Sequence, residues 1–68
     1  MFPNLRAEQS RNNMTNQNVA DYLNMNRATY EKKKKDGKFT VFECMKLCKL
    51  FEREFNYLFA TDGTNKTA

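Results

Sequence analysis

The chain contains no histidine and no tryptophan, and it has only two glycines, two cysteines and one proline among its 68 residues. Without histidine, a nucleophilic cysteine would lack the base that usually activates it. The sequence also contains no glycine-rich loop of the kind that cradles phosphates, and no paired carboxylates at the ends of strands. A chain this short leaves little room for a deep cleft beside its core. We therefore predict that the protein is not an enzyme and has no small-molecule substrate.

The two cysteines do not form a metal site by themselves. Cys44 and Cys48 lie four residues apart, so they share one face of a helix. A structural zinc ion needs four ligands, and the sequence offers neither histidine nor further cysteine to complete the set. We interpret both residues as small buried hydrophobes, and we predict no metal and no cofactor.

Long apolar runs are absent as well. The chain shows neither an N-terminal apolar segment of signal-peptide length nor a stretch long enough to cross a membrane. We expect a cytoplasmic protein with reduced thiols and no membrane partner. In that compartment the two Asn-X-Thr triplets, at residues 13–15 and 65–67, would carry no glycan.

Positive charge is concentrated in one short segment. Between Arg27 and Lys38 there are six basic and two acidic residues, which equals the whole net charge of +4, while the remainder has six of each. A basic segment on a neutral chain indicates a polyanionic partner. The alternative is a solvated lysine run at the C-terminal end of a helix, where cations are favoured electrostatically.

The segment from residue 15 to residue 37 predicts two short helices joined by a tight turn. Thr15 suits the N-cap of the first helix, because its hydroxyl can accept a hydrogen bond from a free backbone N–H. Asn24 follows that helix, at a position where a turn often requires a positive φ that asparagine tolerates. The first helix carries three apolar residues at the spacing of one face: Val19, Ala20 and Leu23.

The second helix of this segment is predicted from Arg27 to about Asp36. Asn26 can serve as its N-cap, and Gly37 stands where a glycine commonly ends a helix. Two helices joined by a short turn, the second with a basic end, form the arrangement of a helix-turn-helix DNA-binding motif.

The residues TNQNVADYLNMNRATY resemble the helix-turn-helix of the lambda-repressor-like regulators, also called the Cro/CI or XRE family. The flanking segments NLRAE, DGKFT, KLCKLF and NYLF look like those of small phage repressors of Gram-positive hosts, so the resemblance extends from Asn4 to Phe59. It implies an all-α, compact five-helix bundle with the helix-turn-helix at helices 2 and 3. The expected organisation is a DNA-binding domain over residues 1–60 and a flexible tail over residues 61–68.

The remaining helices are predicted with different support. The resemblance supplies a first helix, which Asn4 would cap, because its apolar stripe is thin. Thr40 and Glu43 fit a capping box with a hydrophobic staple around it, so a helix rather than a strand is expected from residue 41. Residues 55–59 would form a short last helix that partly closes the core.

A rotation of 100° per residue sorts the side chains of the second helix of the motif. Tyr30 would face the core, whereas Ala28, Lys32 and Lys35 would centre the opposite face, bordered by Arg27 and Glu31. Lys33 and Lys34 would lie beside Tyr30, where the family usually has an apolar residue. Either their stems follow the core edge and their ammonium groups reach water, or the helix ends early.

The resemblance implies double-stranded DNA as the partner and assigns residues to it. Arg27 and Lys32 suit guanine, and Ala28 suits a thymine methyl group. The complete set of expected base-reading residues is Asn16, Arg27, Ala28 and Lys32. The expected phosphate contacts are Arg11, Thr29, Lys35 and Lys38. Because relatives bind as homodimers, the exposed apolar residues are candidates for a dimer interface: Phe42, Met45, Phe55 and Phe59.

The function expected from these observations is sequence-specific binding of a DNA operator by a transcriptional regulator. A helix-turn-helix fold used as a protein-interaction module, such as an anti-repressor or an antitoxin, is the main alternative. RNA binding is a further alternative, but base stacking needs an exposed aromatic residue near the lysines, and Tyr30 is expected to be buried.

Overall fold

The computed structural model describes residues 1–61, which form five α-helices and no strand. This confirms the all-α, five-helix architecture, including the helix that follows Thr40. The remainder of the predicted tail, residues 62–68, lies outside the described residues. No helix of the described part is long and apolar enough to cross a membrane. The helices are α1 (Pro3–Arg11), α2 (Asn16–Tyr22), α3 (Arg27–Asp36), α4 (Val41–Phe51) and α5 (Phe55–Leu58).

The first turns of three helices are capped by the side chains expected from the sequence. Thr15 Oγ1 accepts from the Asn18 backbone N–H at 3.1 Å, and the Asn18 side chain accepts from the Thr15 backbone N–H at 2.9 Å. Asn26 Oδ1 accepts from the Thr29 N–H at 2.7 Å and so caps α3. The Thr40 capping box at the start of α4 is also present. These short-range bonds satisfy backbone donors that would otherwise have no partner.

The cap expected for α1 is wrong. The helix begins at Pro3, with Phe2 as N-cap and no side-chain bond to the first turn. Proline fits this position because its missing N–H would have had no partner there. The Asn4 amide instead donates to the Tyr57 carbonyl at 2.8 Å, which joins α1 to α5.

Four residues have a left-handed backbone, namely Asn13, Asn24, Gly37 and Glu52, and two of them close the helices of the motif. Asn24 closes α2 with a φ of 64°, as the sequence predicted, and Gly37 ends α3 with a φ of 71°. A β-carbon at Gly37 would also meet the sulfur of Met1, but that flexible side chain can move. Glycine is therefore favoured at residue 37 by its backbone conformation.

The core receives side chains from all five helices and from Phe2. Tyr30, Leu47 and Leu58 are fully buried, and Ala20 is equally inaccessible between α2 and its neighbours. Phe39 and Cys44 both pack against the core, as expected for a staple around Thr40. The buried apolar set is Phe2, Leu5, Val19, Ala20, Leu23, Tyr30, Leu47, Phe51, Leu58 and Phe59.

Candidate nucleic-acid interface

Helix α3 is attached to the protein through one residue in particular. Tyr30 is the one residue of α3 with no exposed surface, and α3 packs against α2, where Val19 and Ala20 are also fully buried. Because Tyr30 is buried, its side of the helix faces the protein and the opposite face is left toward solvent. The sequence pattern placed the inward and outward faces correctly.

The outward face carries the residues expected to read bases. Ala28 is exposed, and the side chains of Arg27 and Lys32 are 63% and 80% exposed. Arg27 Nε lies 3.7 Å from Glu31 Oε2, and Lys32 Nζ lies 3.7 Å from Asp36 Oδ2. Exposed pairs of this kind contribute only about 0.2–1 kcal/mol, so neither pair prevents the basic group from contacting another partner.

Asn16 stands apart from the other expected base-reading residues, because its amide is bonded within the protein. Its Oδ1 accepts from Lys34 Nζ at 2.7 Å and from Gln9 Nε2 at 3.1 Å. Its Nδ2 donates to Glu31 Oε2 at 3.0 Å. Since an amide NH₂ has two hydrogens, one donor remains for a further partner.

An early end of the helix, one of the two outcomes expected for Lys33 and Lys34, does not occur. Helix α3 continues to Asp36, and both ammonium groups bind protein atoms. Lys33 Nζ lies 3.1 and 3.2 Å from the two carboxylate oxygens of Glu43 on α4. Lys34 Nζ donates to Gln9 Oε1 at 3.1 Å and to Asn16, and it lies 5.1 Å above the Tyr30 ring. The two lysines thus tie α3 to three other helices.

These contacts also shift the ionisation of the groups involved. Burial lowers the pKa of Lys34, and the nearby Arg6 charge lowers it further, while Glu31 acts in the opposite direction. Burial acts to raise the pKa of Glu43. A hydrogen bond from the Thr40 backbone and the bonds and charge of Lys33 outweigh it, so the pKa of Glu43 is lowered.

The residues expected to contact phosphate lie at separate places on the surface. Thr29, Lys32 and Lys38 line one shallow hollow of about 300 Å³, which Lys33 and Asp36 complete. Lys35 lines a second hollow of about 170 Å³ with the side chains of Arg6, Lys34 and Glu31, together with Met1 and Phe2. Lys35 and Lys38 are exposed and form no ion pair within residues 1–61.

Arg11 is 61% exposed on the last turn of α1, and it takes part in a charged cluster that the sequence did not indicate. Glu8 Oε2 lies 3.6 Å from Arg11 Nε and 3.3 Å from Arg53 Nε, and it accepts from the Tyr57 hydroxyl at 3.0 Å. Burial acts to raise the pKa of Glu8, but the bonds from Tyr57 and Arg53 and the two arginine charges hold it below its ordinary value. The carboxylate therefore stays charged and joins α1 to the α5 region.

The candidate dimer residues fall into two groups. Phe42, Met45 and Phe55 are 77%, 62% and 55% exposed. Phe59 is 9% exposed, and its ring packs against those of Phe2, Phe39 and Phe55. Phe59 therefore contributes to the core, whereas the other three, and Val41 at the start of α4, remain exposed on α4 and α5.

The two cysteines are half-buried free thiols that pack against the core. Burial raises the pKa of both Cys44 and Cys48, so the thiols are held in their protonated form. Within the described residues, no group of three or more histidine, cysteine, aspartate or glutamate side chains could hold a metal ion.

Comparison with protein-family models gives no match for this chain, and neither do comparisons with curated proteins and with solved structures.

Proposed function

We propose that the protein is a sequence-specific, double-stranded DNA-binding transcriptional regulator of the phage or prophage Cro/repressor type. The proposal depends on one observation, which is that α3 packs against the protein through one face and exposes the opposite face to solvent. Its N-terminus is capped by Asn26, its inner face is held by Tyr30, and its outer face exposes Arg27, Ala28 and Lys32. A recognition helix in the major groove contacts bases through its N-terminal and outer residues. The resemblance to the Cro/CI family supports the same use of the helix.

In this proposal, phosphate contacts position the protein and do not read sequence. Lys35 and Lys38 have no competing ion pair in the described residues, Thr29 lies in the same hollow as Lys38, and Arg11 adds a separate contact at the end of α1. Neutralising phosphates releases condensed counterions, so the affinity falls as salt concentration rises. Lys33 and Lys34 are committed to protein partners and contribute less to this effect.

Bases are read by the exposed residues of α3. Arg27 can donate two hydrogen bonds to O6 and N7 of guanine, Lys32 can also reach guanine, and Ala28 can contact a thymine methyl group. The operator is therefore expected to contain guanine in each half-site. Asn16 retains one free N–H, which can reach a phosphate or a base at the edge of the site.

A single helix-turn-helix buries little surface, so we propose a homodimer on paired half-sites about 34–36 Å apart. Phe42, Met45 and Phe55 supply the exposed apolar surface for this contact. The same surface favours the second candidate, a protein-interaction module acting as an anti-repressor or antitoxin. As a regulator the protein acts in the cytoplasm, where both thiols remain reduced.

Selection of duplexes from a random library tests the proposal. The expected result is a two-fold symmetric site with guanine in each half, bound at moderate salt and released as salt increases. If no sequence is enriched in the selection, and the protein elutes from immobilised DNA at the lowest salt concentration, the interaction module is supported instead.

A further inference from the structure

A chain of hydrogen bonds connects the buried face of α3 to its exposed face. It starts at Tyr30, whose hydroxyl donates to Gln9 Oε1, and both residues are buried. Gln9 Oε1 also accepts from Lys34 Nζ at 3.1 Å. Lys34 Nζ and Gln9 Nε2 then both donate to Asn16 Oδ1, at 2.7 and 3.1 Å. The chain thereby joins α1, α2 and α3 at one point.

This arrangement determines which way the Asn16 amide faces. A lysine ammonium group can only donate, so Asn16 must present its oxygen to Lys34 and its nitrogen to the other side. On that side Asn16 Nδ2 donates to Glu31 Oε2 at 3.0 Å. The half-buried Lys34 ammonium group therefore orients an amide that in turn holds an exposed carboxylate.

The last link reaches Arg27, the main candidate for reading guanine. Glu31 Oε2, the oxygen that accepts from Asn16, lies 3.7 Å from Arg27 Nε. Contact through Nε leaves the two terminal NH₂ groups of the guanidinium unused. Those groups form the fork that donates to O6 and N7 of guanine.

A second ion pair on the same helix provides a contrast. Lys32 and Asp36 have the same four-residue spacing and the same 3.7 Å separation as Arg27 and Glu31. Within the part of the chain that the structure describes, however, the Asp36 carboxylate accepts no side-chain hydrogen bond comparable to the one that Glu31 accepts from Asn16. The Lys32–Asp36 pair can therefore move as a unit, whereas Glu31 is tied to α2.

We propose that Glu31 is a positioning residue that determines sequence specificity. Held by Asn16, it orients the Arg27 guanidinium before DNA arrives, so that less side-chain freedom is lost when guanine is bound. Its charge also repels phosphates, which weakens binding to every duplex alike, so the effect on relative preference comes from the orientation of Arg27. This inference rests on the proposed DNA-binding function.

The test compares Glu31→Gln with Asp36→Asn, since each removes one negative charge from an i,i+4 pair of equal length on α3. Affinities are measured for the duplex selected by the wild type, for duplexes changed at the base pair read by Arg27, and for an unrelated duplex. Both variants should bind the unrelated duplex more tightly, by similar factors. Only Glu31→Gln should lose discrimination at the Arg27 base pair, by up to about fivefold, as expected for an exposed ion pair.

Asn16→Ala separates orientation from charge, because it removes the bond to Glu31 without changing the net charge. It should lose discrimination at the Arg27 base pair as Glu31→Gln does, but it should not bind the unrelated duplex more tightly, because it removes no negative charge. A positioning role is contradicted if Glu31→Gln discriminates as well as Asp36→Asn. If the wild type itself prefers no duplex, the proposed function fails instead, so the two failures are distinguishable.

Discussion

Adjacent lysines on α3 have opposite roles in the structure. Lys32 and Lys35 are exposed on the outer face, whereas Lys33 and Lys34 bind Glu43, Gln9 and Asn16. The four residues are identical in chemistry and consecutive in sequence, and only their rotation about the helix axis separates them. A count of basic residues therefore overstates the charge available to a polyanion, because the inner lysines hold the helix in place.

The largest expected effect concerns the inner face. Tyr30→Ala removes the buried ring that anchors α3 and should cost about 3–5 kcal/mol of unfolding free energy, a large part of the stability of so small a domain. Urea unfolding followed by circular dichroism measures this loss. Lys32→Ala, on the outer face, should change stability by about 0.5 kcal/mol or less. Equal losses in the two variants would contradict the division between the faces.

The next largest effect concerns Arg27, at the N-terminal end of the outer face of α3. Arg27→Ala should cost about 1–3 kcal/mol on the selected duplex and relax the preference at one base pair, because a bidentate contact to guanine is lost. Competition binding with duplexes substituted at each position measures this preference. Lys35→Ala is the comparison and should weaken all duplexes alike. If the two variants behave identically across sequences, the separation of base reading from phosphate binding is wrong.

The two kinds of lysine can also be separated by their salt dependence. Lys35→Met should reduce the slope of log affinity against log salt concentration by about one, because one phosphate contact is removed. Lys34→Met should leave the slope unchanged, since the Lys34 ammonium group is bonded to Gln9 and Asn16. Anisotropy titrations at several salt concentrations measure both slopes. A similar reduction in both variants would show that the inner lysine contacts phosphate.

The smallest effect is a pH dependence of stability. Because Glu43 has a lowered pKa in the folded state, it contributes stability above its ordinary pKa of 4.5, and this is lost as the pH falls through the lower folded value. Thermal unfolding of the wild type should therefore show a melting temperature that decreases below pH 4.5. Glu43→Gln and Lys33→Met should both show a shallower decrease, since each removes the pair. An unchanged acid dependence in both variants would contradict the role of this pair.

Local features of the fold were predictable because their causes lie within a few residues. Thr15 and Asn26 cap helices by bonding to the third residue beyond them, and Asn24 and Gly37 take the left-handed conformation that their side chains permit. The inward direction of Tyr30 followed from helical periodicity in the same way.

The features that the sequence did not indicate depend on partners far along the chain. Lys34 bonds to Gln9, which is 25 residues away in the sequence. Glu8 bonds to Tyr57, which is 49 residues away. Periodicity assigns a side chain to a face but does not show which groups of another helix lie opposite it. The same reason explains why Phe59 and Phe55 could not be sorted in advance into core and surface. The one available signal was that polar residues stand next to the inward-facing Tyr30. It indicated that their side chains would be partly buried, but it did not show which groups they would bind.

The most direct test of the account is the ratio of affinities of the wild-type chain for its selected duplex and for a scrambled duplex, measured at the same salt concentration. The account predicts a preference of about a thousandfold or more, as is typical of specific DNA-binding proteins. Equal affinities for the two duplexes, or no binding to either at low salt, would contradict the claim that the outer face of α3 reads DNA.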